Sequence, residues 1–101
     1  MSKDVLQAAY FSLDTEKKEI SRLKDYLDEQ CFLKAVDALA NCKSIMTVAS
    51  GSSGIAAKKF AHSLCCINKH AMFMPPSEAV HGGLGALDEQ DVMVMVSRGG
   101  K

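Results

Sequence analysis

The chain has 101 residues, 48% of them hydrophobic, and its twelve basic and twelve acidic side chains cancel to a formal net charge of zero. A chain of this length forms one domain at most, and the balanced charge gives no long-range field to gather nucleic acid or an anionic membrane. Its apolar runs fall far short of the ~20 residues of a membrane-spanning helix, and the N-terminus lacks the apolar core of a signal peptide. We therefore expect a cytoplasmic domain with no nucleic-acid or membrane partner.

The first part of the chain is predicted to be helical, because apolar residues recur at helical spacing from Leu6 to Leu39. Breaks near Asp14 or Asp28 would divide this part into two or three helices. We expect residues 1–43 to form an N-terminal helical segment ahead of a sheet, and residues 44–101 to belong to the same single domain.

The remainder alternates between strand-like and helix-like patterns, which is typical of the α/β class. Short apolar runs predict strands at residues 45–49, 71–74 and 92–96. A helix is predicted between the first two, and a short segment over residues 77–87, with Ser77 as its N-cap, leads to the third. The inner stripe of the first of these helices is expected to comprise Ile55, Phe60, Leu64 and Ile67.

Four cysteines and two nearby histidines raise the question of disulfides or a metal. The cysteines Cys31, Cys42, Cys65 and Cys66 include an adjacent pair, and nothing in the sequence points to an oxidising compartment. We interpret them as buried free thiols. His62 and His70 lie near the adjacent pair, but that pair lacks the two-residue gap of zinc knuckles, so we expect no metal and no cofactor.

The first predicted strand ends in Ser50-Gly51-Ser52-Ser53-Gly54. Glycine allows the backbone amides to approach an anion closely, and the hydroxyls of Ser52 and Ser53 add donors. The segment can therefore be a phosphate cradle, or simply a turn with a helix N-cap. Its glycine spacing does not fit G-x-G-x-x-G, and no acidic residue ends the next strand, which disfavours a dinucleotide.

The third predicted strand ends in a similar segment, Ser97-Arg98-Gly99-Gly100. The carboxyl ends of parallel strands form one edge of a sheet, where ligands of such folds bind. Two small, hydroxyl-bearing, glycine-containing loops at that edge predict a shared anion site.

A third motif combines Glu78 and His81 within Glu-Ala-Val-His-Gly-Gly-Leu-Gly, residues 78–85. Histidine has an unperturbed pKa suited to proton transfer near neutrality, and a helix would bring Glu78 to the same face. The alternative is structural: Glu78 serves the first helical turn and His81 packs under a glycine-rich loop.

The residues from about Asp28 to Lys101 resemble the sugar isomerase (SIS) domain family, and most closely its arabinose-5-phosphate isomerase branch. The resemblance rests on residues 51–54 followed by Lys58 and Lys59, on residues 78–85, and on Asp91-Val92 leading to Ser97-Arg98-Gly99-Gly100. It implies a three-layer, flavodoxin-like α/β sandwich with a parallel sheet, of which residues 44–101 would be the first part, with the C-terminal part missing.

The resemblance also implies a phosphorylated sugar as ligand and a homo-oligomer, a dimer or tetramer, as the assembly. His81 would reach the sugar as the catalytic residue, with Glu78 as a weaker alternate. The phosphosugar-binding residues would be Gly51, Ser52, Ser53, Ser97 and Gly99. The chain departs from the isomerases of this branch at two positions, with Ser52 where they have a lysine and Pro75 where they have a histidine.

Three functional readings stay open at this point. The first is an aldose–ketose phosphosugar isomerase, in which a base removes the proton next to the carbonyl. The second is a non-catalytic phosphosugar-sensing or regulatory module, and the third is an inactive truncated fragment. Because the resemblance covers only the front of the family's domain, we expect little or no turnover from these 101 residues alone.

Overall fold

The computed structural model describes residues 1–99 of the chain. Two long helices precede a region in which strands and helices alternate, and the last helical element is a short 3-10 helix that we call η1. In chain order the elements are α1 (Ser2–Tyr26), α2 (Glu29–Asn41), β1 (Ile45–Val48), α3 (Gly51–Cys66), β2 (Ala71–Met74), α4 (Pro76–Val80), η1 (Gly83–Ala86) and β3 (Val92–Met95).

The described part of the chain divides into two compact units, residues 1–34 and residues 35–99. In the first unit, α1 runs without interruption through Asp14, so the break predicted there is wrong, and the helix ends beside Asp28 as predicted. The Asp28 carboxylate accepts a hydrogen bond from the Cys31 backbone N–H at 3.0 Å, which begins α2. The same bond lowers the pKa of Asp28. No helix in residues 1–99 has the length and hydropathy to cross a bilayer.

The second unit is built on a three-stranded parallel sheet with strand order β2-β1-β3. The connection from β1 to β2 runs one way across the sheet and that from β2 to β3 runs back. Right-handed crossovers therefore put α3 on one face and the α4–η1 segment on the other. The α/β class with a parallel sheet, predicted from the sequence, is confirmed. The strands β1 and β3 each end one residue earlier than predicted.

The face of the sheet toward α3 forms the tightest part of the core. Ile45 and Thr47 of β1 are fully buried there, with 1% and 0% of their surface exposed. The Thr47 hydroxyl donates to the Ala57 carbonyl of α3 at 2.8 Å, which satisfies the one buried polar side chain described. This hydrogen bond joins the centre of the sheet directly to the helix backbone.

The predicted inner stripe of α3 is wrong at Ile55 and Ile67, whereas its other two members, Phe60 and Leu64, are partly buried. The buried residues of this helix are Gly54, Ala57 and Ala61, whereas Ile55 and Ile67 are largely exposed. Small residues let the helix axis approach the sheet closely enough for the Thr47 bond to form. A stripe of large side chains at this interface would hold the two layers apart.

The opposite face of the sheet is lined mainly by methionine. Side chains alternate between faces along a strand, and parallel partners in register share a face. Met46 lies between Met72 and Met93, and Val48 lies between Met74 and Met95. Every methionine except Met1 is therefore on this face. Met46 and Met74 are buried there, but Met72 and Met95 are 51% and 74% exposed.

A polar cluster fixes the amino ends of β1 and β3 to each other. The Ser44 hydroxyl donates to the Asp91 carboxylate at 2.6 Å, and the same carboxylate accepts the Asp88 backbone N–H at 2.9 Å. Both bonds favour the charged carboxylate and so lower the pKa of Asp91, and the bond from Ser44 has the larger effect. The cluster thus sets the register in which β3 enters the sheet.

The cysteines are free, but the expectation that they are buried is wrong. Cys31, Cys65 and Cys66 are exposed, and Cys42 is partly buried. Cys65 and Cys66 lie in the last turn of α3, where the Cys65 thiol donates to the Ala71 carbonyl at 3.1 Å. They follow Ala61, the last buried residue of this helix, and Cys65 still contacts the first residue of β2.

Candidate functional site

The first component of the site is the junction between β1 and α3. Sequence patterns predicted a turn through residue 54, but the helix already begins at Gly51, whose φ of +61° favours glycine. The first intrahelical bond runs from the Gly54 N–H to the Ser50 carbonyl at 3.1 Å. The N–H groups of Gly51, Ser52 and Ser53 precede it and have no acceptor within the helix. The junction therefore offers a set of backbone donors at the carboxyl end of β1.

Gly54 is needed for a close approach within this junction. A Cβ at this position would lie 3.0 Å from the Ala49 carbonyl oxygen and 3.7 Å from the ring of Phe73. The first turn of α3 therefore lies directly against the end of β1. Any side chain at residue 54 would push the free N–H groups away from the strand end.

The loop after β3 reaches the same edge of the sheet. The Val96 N–H donates to the Val48 carbonyl at 3.1 Å, so β1 and β3 stay aligned to the point where both loops begin. Ser97 and Gly99 follow immediately and are exposed. Gly100, which was included in the predicted loop, lies outside the described residues. The register of these two strands therefore brings the first turn of α3 and the loop after β3 to one edge of the sheet, where the sequence had predicted two loops.

The segment after β2 carries Glu78 and His81. Pro75 is the N-cap of α4 and Pro76 its first residue, so the prediction of Ser77 as N-cap is wrong; proline suits the first position because it has no N–H to satisfy. Glu78 and His81 are both exposed. Within residues 1–99, neither side chain makes a hydrogen bond or an ion pair. Their predicted catalytic roles stay predictions.

A groove of about 380 Å³ lies between the carboxyl ends of β1 and β2. The β1–α3 junction forms part of its wall, and Gly51 is the predicted site residue that lines it. Its charged side chain is Lys58, whose ammonium lies 5.2 Å from the centroid of the Phe73 ring. The lining residues are Ala49, Ser50, Gly51, Gly54, Ile55, Lys58, Phe73, Pro75, Pro76 and Ser77.

Sequence reasoning gave Lys58 no role and missed Phe73. The available signal was helical spacing, because Gly51, Gly54 and Lys58 recur at intervals that place them on one face of α3. Phe73 could be connected to that face only through the parallel pairing of β1 with β2. The groove is thus a product of tertiary structure more than of a local motif.

A larger cavity of about 510 Å³ lies at the opposite end of the sheet, and Ser44, His70 and Leu87 are among its lining residues. It is formed at the amino ends of β1 and β2. Ligands of open parallel sheets bind at the carboxyl ends, beside the starts of the following helices. We therefore place the candidate site at the β1–α3 junction in spite of the smaller volume there.

The cluster of cysteines and histidines considered as a metal site does not assemble within residues 1–99, where no three metal-ligating side chains come together. The pair that does approach is Cys66 and His62, with 3.7 Å between the Cys66 sulfur and the His62 Nε2. Two exposed residues one helical turn apart are fewer than the ligands of a structural zinc site.

Comparison with known proteins connects this arrangement to a family. The SIS domain model matches residues 38–101. The chain is 36% identical to arabinose 5-phosphate isomerase GutQ of Escherichia coli K12, over 99% of this chain and 31% of GutQ. It is 29% identical to arabinose 5-phosphate isomerase KdsD of Salmonella typhimurium, over 97% of this chain and 30% of KdsD. The chain thus spans about a third of the length of these curated relatives.

Two solved structures described by the same kind of ligand or activity have the same fold as this chain over most of its length. A proposed sugar-phosphate isomerase of Listeria monocytogenes superposes with a TM-score of 0.91 at 39% identity, over 96% of this chain and 51% of that one. An Escherichia coli CFT073 protein solved in complex with arabinose 5-phosphate superposes with a TM-score of 0.86 at 26% identity, over 96% of this chain and 52% of that one.

Proposed function

Because the chain belongs to the SIS domain family, we propose that it binds a phosphorylated sugar of the arabinose 5-phosphate type at the carboxyl edge of its sheet. The observation that carries the proposal is the Val96–Val48 hydrogen bond, which holds β1 and β3 in register up to the serine-containing first turn of α3 and the serine-containing loop after β3. The phosphate would be bound by Gly51, Ser52 and Ser53 on one side and by the loop of Ser97 and Gly99 on the other.

Electrostatics supports a phosphate in this position. The free N–H groups at the start of a helix carry partial positive charge and point toward the space beyond the strand end. The whole chain has no net charge to attract an anion from a distance, so affinity must come from local donors. Serine hydroxyls at this edge can add hydrogen bonds to phosphate oxygens without leaving a buried polar group unsatisfied.

Calorimetric titration of the 101-residue chain tests the proposal directly. We expect saturable binding of arabinose 5-phosphate, weaker binding of inorganic phosphate and no detectable binding of arabinose, because the charged group provides most of the local interaction. Ser53→Ala should weaken arabinose 5-phosphate binding about tenfold, the usual effect of losing one hydrogen bond to a charged group. Ser63→Ala, later in the same helix, should leave it within twofold. Equal binding of arabinose and its phosphate would contradict the proposal.

For a protein of the length of the curated relatives, we propose aldose–ketose isomerisation as the chemistry of this site, with His81 moving a proton and Glu78 as the alternate. Binding without turnover is the function that we propose for these 101 residues alone. His81 and Glu78 are both exposed and make no hydrogen bonds in the described part of the chain, which favours binding without turnover. Formation of a ketose phosphate in the titrated sample would contradict it. The cytoplasmic location stays a prediction.

We also propose that the chain self-associates through α1. This helix buries none of its residues, and apolar side chains recur one heptad apart at Leu6, Leu13 and Ile20, each more than half exposed. An exposed apolar face on a helix is typically covered by another element, and a second copy of the chain would provide one.

Light scattering across a range of concentrations measures this self-association. We expect a dimer or larger assembly for the native chain. Leu13→Glu should shift it toward monomer, because each copy would then bury an unpaired charge at the contact. Lys18→Glu also changes the charge of α1 but lies away from the stripe, and it should keep the native mass. A native chain that stays monomeric at every concentration would contradict the proposal.

A further inference from the structure

The ammonium of Lys58 is held at the groove by an aromatic ring. It lies 5.2 Å from the Phe73 ring centroid, within the range of a cation–π contact. The Cα of Lys58 lies about two turns after the start of α3. Because helical side chains lean toward the helix N-terminus, the long side chain of Lys58 brings its ammonium back toward Gly54 and Gly51. The position of the charge is therefore set by the sheet as well as by the helix.

This charge has no carboxylate partner in residues 1–99. The ion pairs of that range join Arg22 to Glu19 and Lys43 to Asp88. The groove contains no acidic side chain, and its other polar side chains are the hydroxyls of Ser50 and Ser77. An ammonium over an aromatic face can still donate its N–H groups to an anion. The groove is therefore cationic, and no described residue lining it supplies a negative charge to neutralise Lys58. A bound anion could supply that charge.

The groove and the proposed phosphate site share the β1–α3 junction. Ser50, Gly51 and Gly54 line the groove and also belong to the segment whose N–H groups face the strand end. The segment Ser50–Gly54 itself contains no charged side chain. An anion bound there would lie between the β3 loop on one side and Lys58 on the other.

We propose that Lys58 is the cationic residue that binds the phosphate of the phosphorylated sugar, from the β2 side of the junction. This inference rests on the proposed phosphosugar function and deepens it by naming the charge that neutralises the ligand. Phe73 is the residue that positions this charge. The apolar wall of Pro75 and Pro76 would then face the ligand beyond its phosphate.

A pair of adjacent lysines allows a matched test. Lys58→Met removes the charge at the groove and keeps a similar apolar stem, whereas Lys59→Met removes the same charge from the next position of α3, outside the groove. We expect Lys58→Met to weaken arabinose 5-phosphate binding about tenfold, as for loss of one charge-assisted hydrogen bond. The affinity of Lys59→Met should stay within twofold of native. The dependence of affinity on salt should also decrease in Lys58→Met and persist in Lys59→Met.

The outcomes separate this inference from the function on which it rests. If the native chain binds no sugar phosphate, the proposed function itself fails. If Ser53→Ala weakens binding but Lys58→Met does not, the function stands and the role of Lys58 is overturned. Equal losses in Lys58→Met and Lys59→Met would also overturn it, because the effect would then come from general charge. Both lysines are exposed, so unchanged circular dichroism of the variants is expected and checks that the fold is kept.

Discussion

Gly83→Ala should destabilise the chain by about 2–3 kcal/mol, in the upper part of the range for overpacking a close contact. A Cβ at this position would collide with the Met74 sulfur and lie 2.7 Å from the Glu78 carbonyl oxygen. The methionine side chain can move, but the carbonyl belongs to the backbone of α4 and cannot move without displacing that helix. Urea unfolding followed by circular dichroism measures the loss.

The control for this variant is two residues away in the same 3-10 helix. A Cβ on Gly85 would have no atom within 4 Å, so Gly85→Ala should change stability by less than about 0.5 kcal/mol, as expected for a surface substitution. If Gly83→Ala were as stable as Gly85→Ala, the close packing of η1 over Met74 would be refuted. The contrast matters for function because residue 83 fixes the segment that carries His81.

Ile45→Ala should cost about 3 kcal/mol, the usual loss for truncating a fully buried isoleucine and leaving a cavity. Ile45 is 1% exposed, and the described core contains few large side chains, so its neighbours have little with which to refill the space. For a domain of this size such a loss lowers the melting temperature by roughly 15 °C. Thermal unfolding followed by circular dichroism measures it.

Ile55→Ala makes the same chemical change at a residue that is 71% exposed on α3. It should leave the melting temperature nearly unchanged, because little apolar surface returns to water and alanine has the higher helix propensity. A loss at Ile55 as large as that at Ile45 would mean that Ile55 packs against the sheet, as the predicted stripe of α3 required. Ile55→Ala therefore tests which face of α3 packs on the sheet, and Ile45→Ala gives the loss expected of a buried isoleucine.

The parts of the fold that depend on local pattern could be predicted from the sequence. β-branched and apolar runs gave all three strands to within one residue, and the break beside Asp28 followed from a capping side chain. The position of Ser53 and Ser97 at the carboxyl edge of the sheet followed from the general behaviour of parallel sheets. These inferences needed only the order of the elements and the end of each strand.

The packing face of α3 could not be predicted in the same way. Hydrophobic periodicity selects the largest apolar side chains, whereas this interface selects the smallest, because the Thr47 hydroxyl must reach the Ala57 carbonyl. The groove lysine was missed for a related reason. Lys58 acquires its position from Phe73, and a contact between residues 15 apart leaves no periodic signal in either segment.

The two faces of the same three strands place different demands on what covers them. On the α3 side, stiff β-branched side chains at Ile45 and Thr47 meet a helix at a fixed distance, so few alternatives would fit. On the other side, Met46 and its neighbours are unbranched and polarisable and can change shape at little cost. That side can accept covering segments of differing shape while the sheet stays the same. The carboxyl edge of the sheet, with its candidate site, can therefore keep its geometry while the segments packed on the methionine face vary.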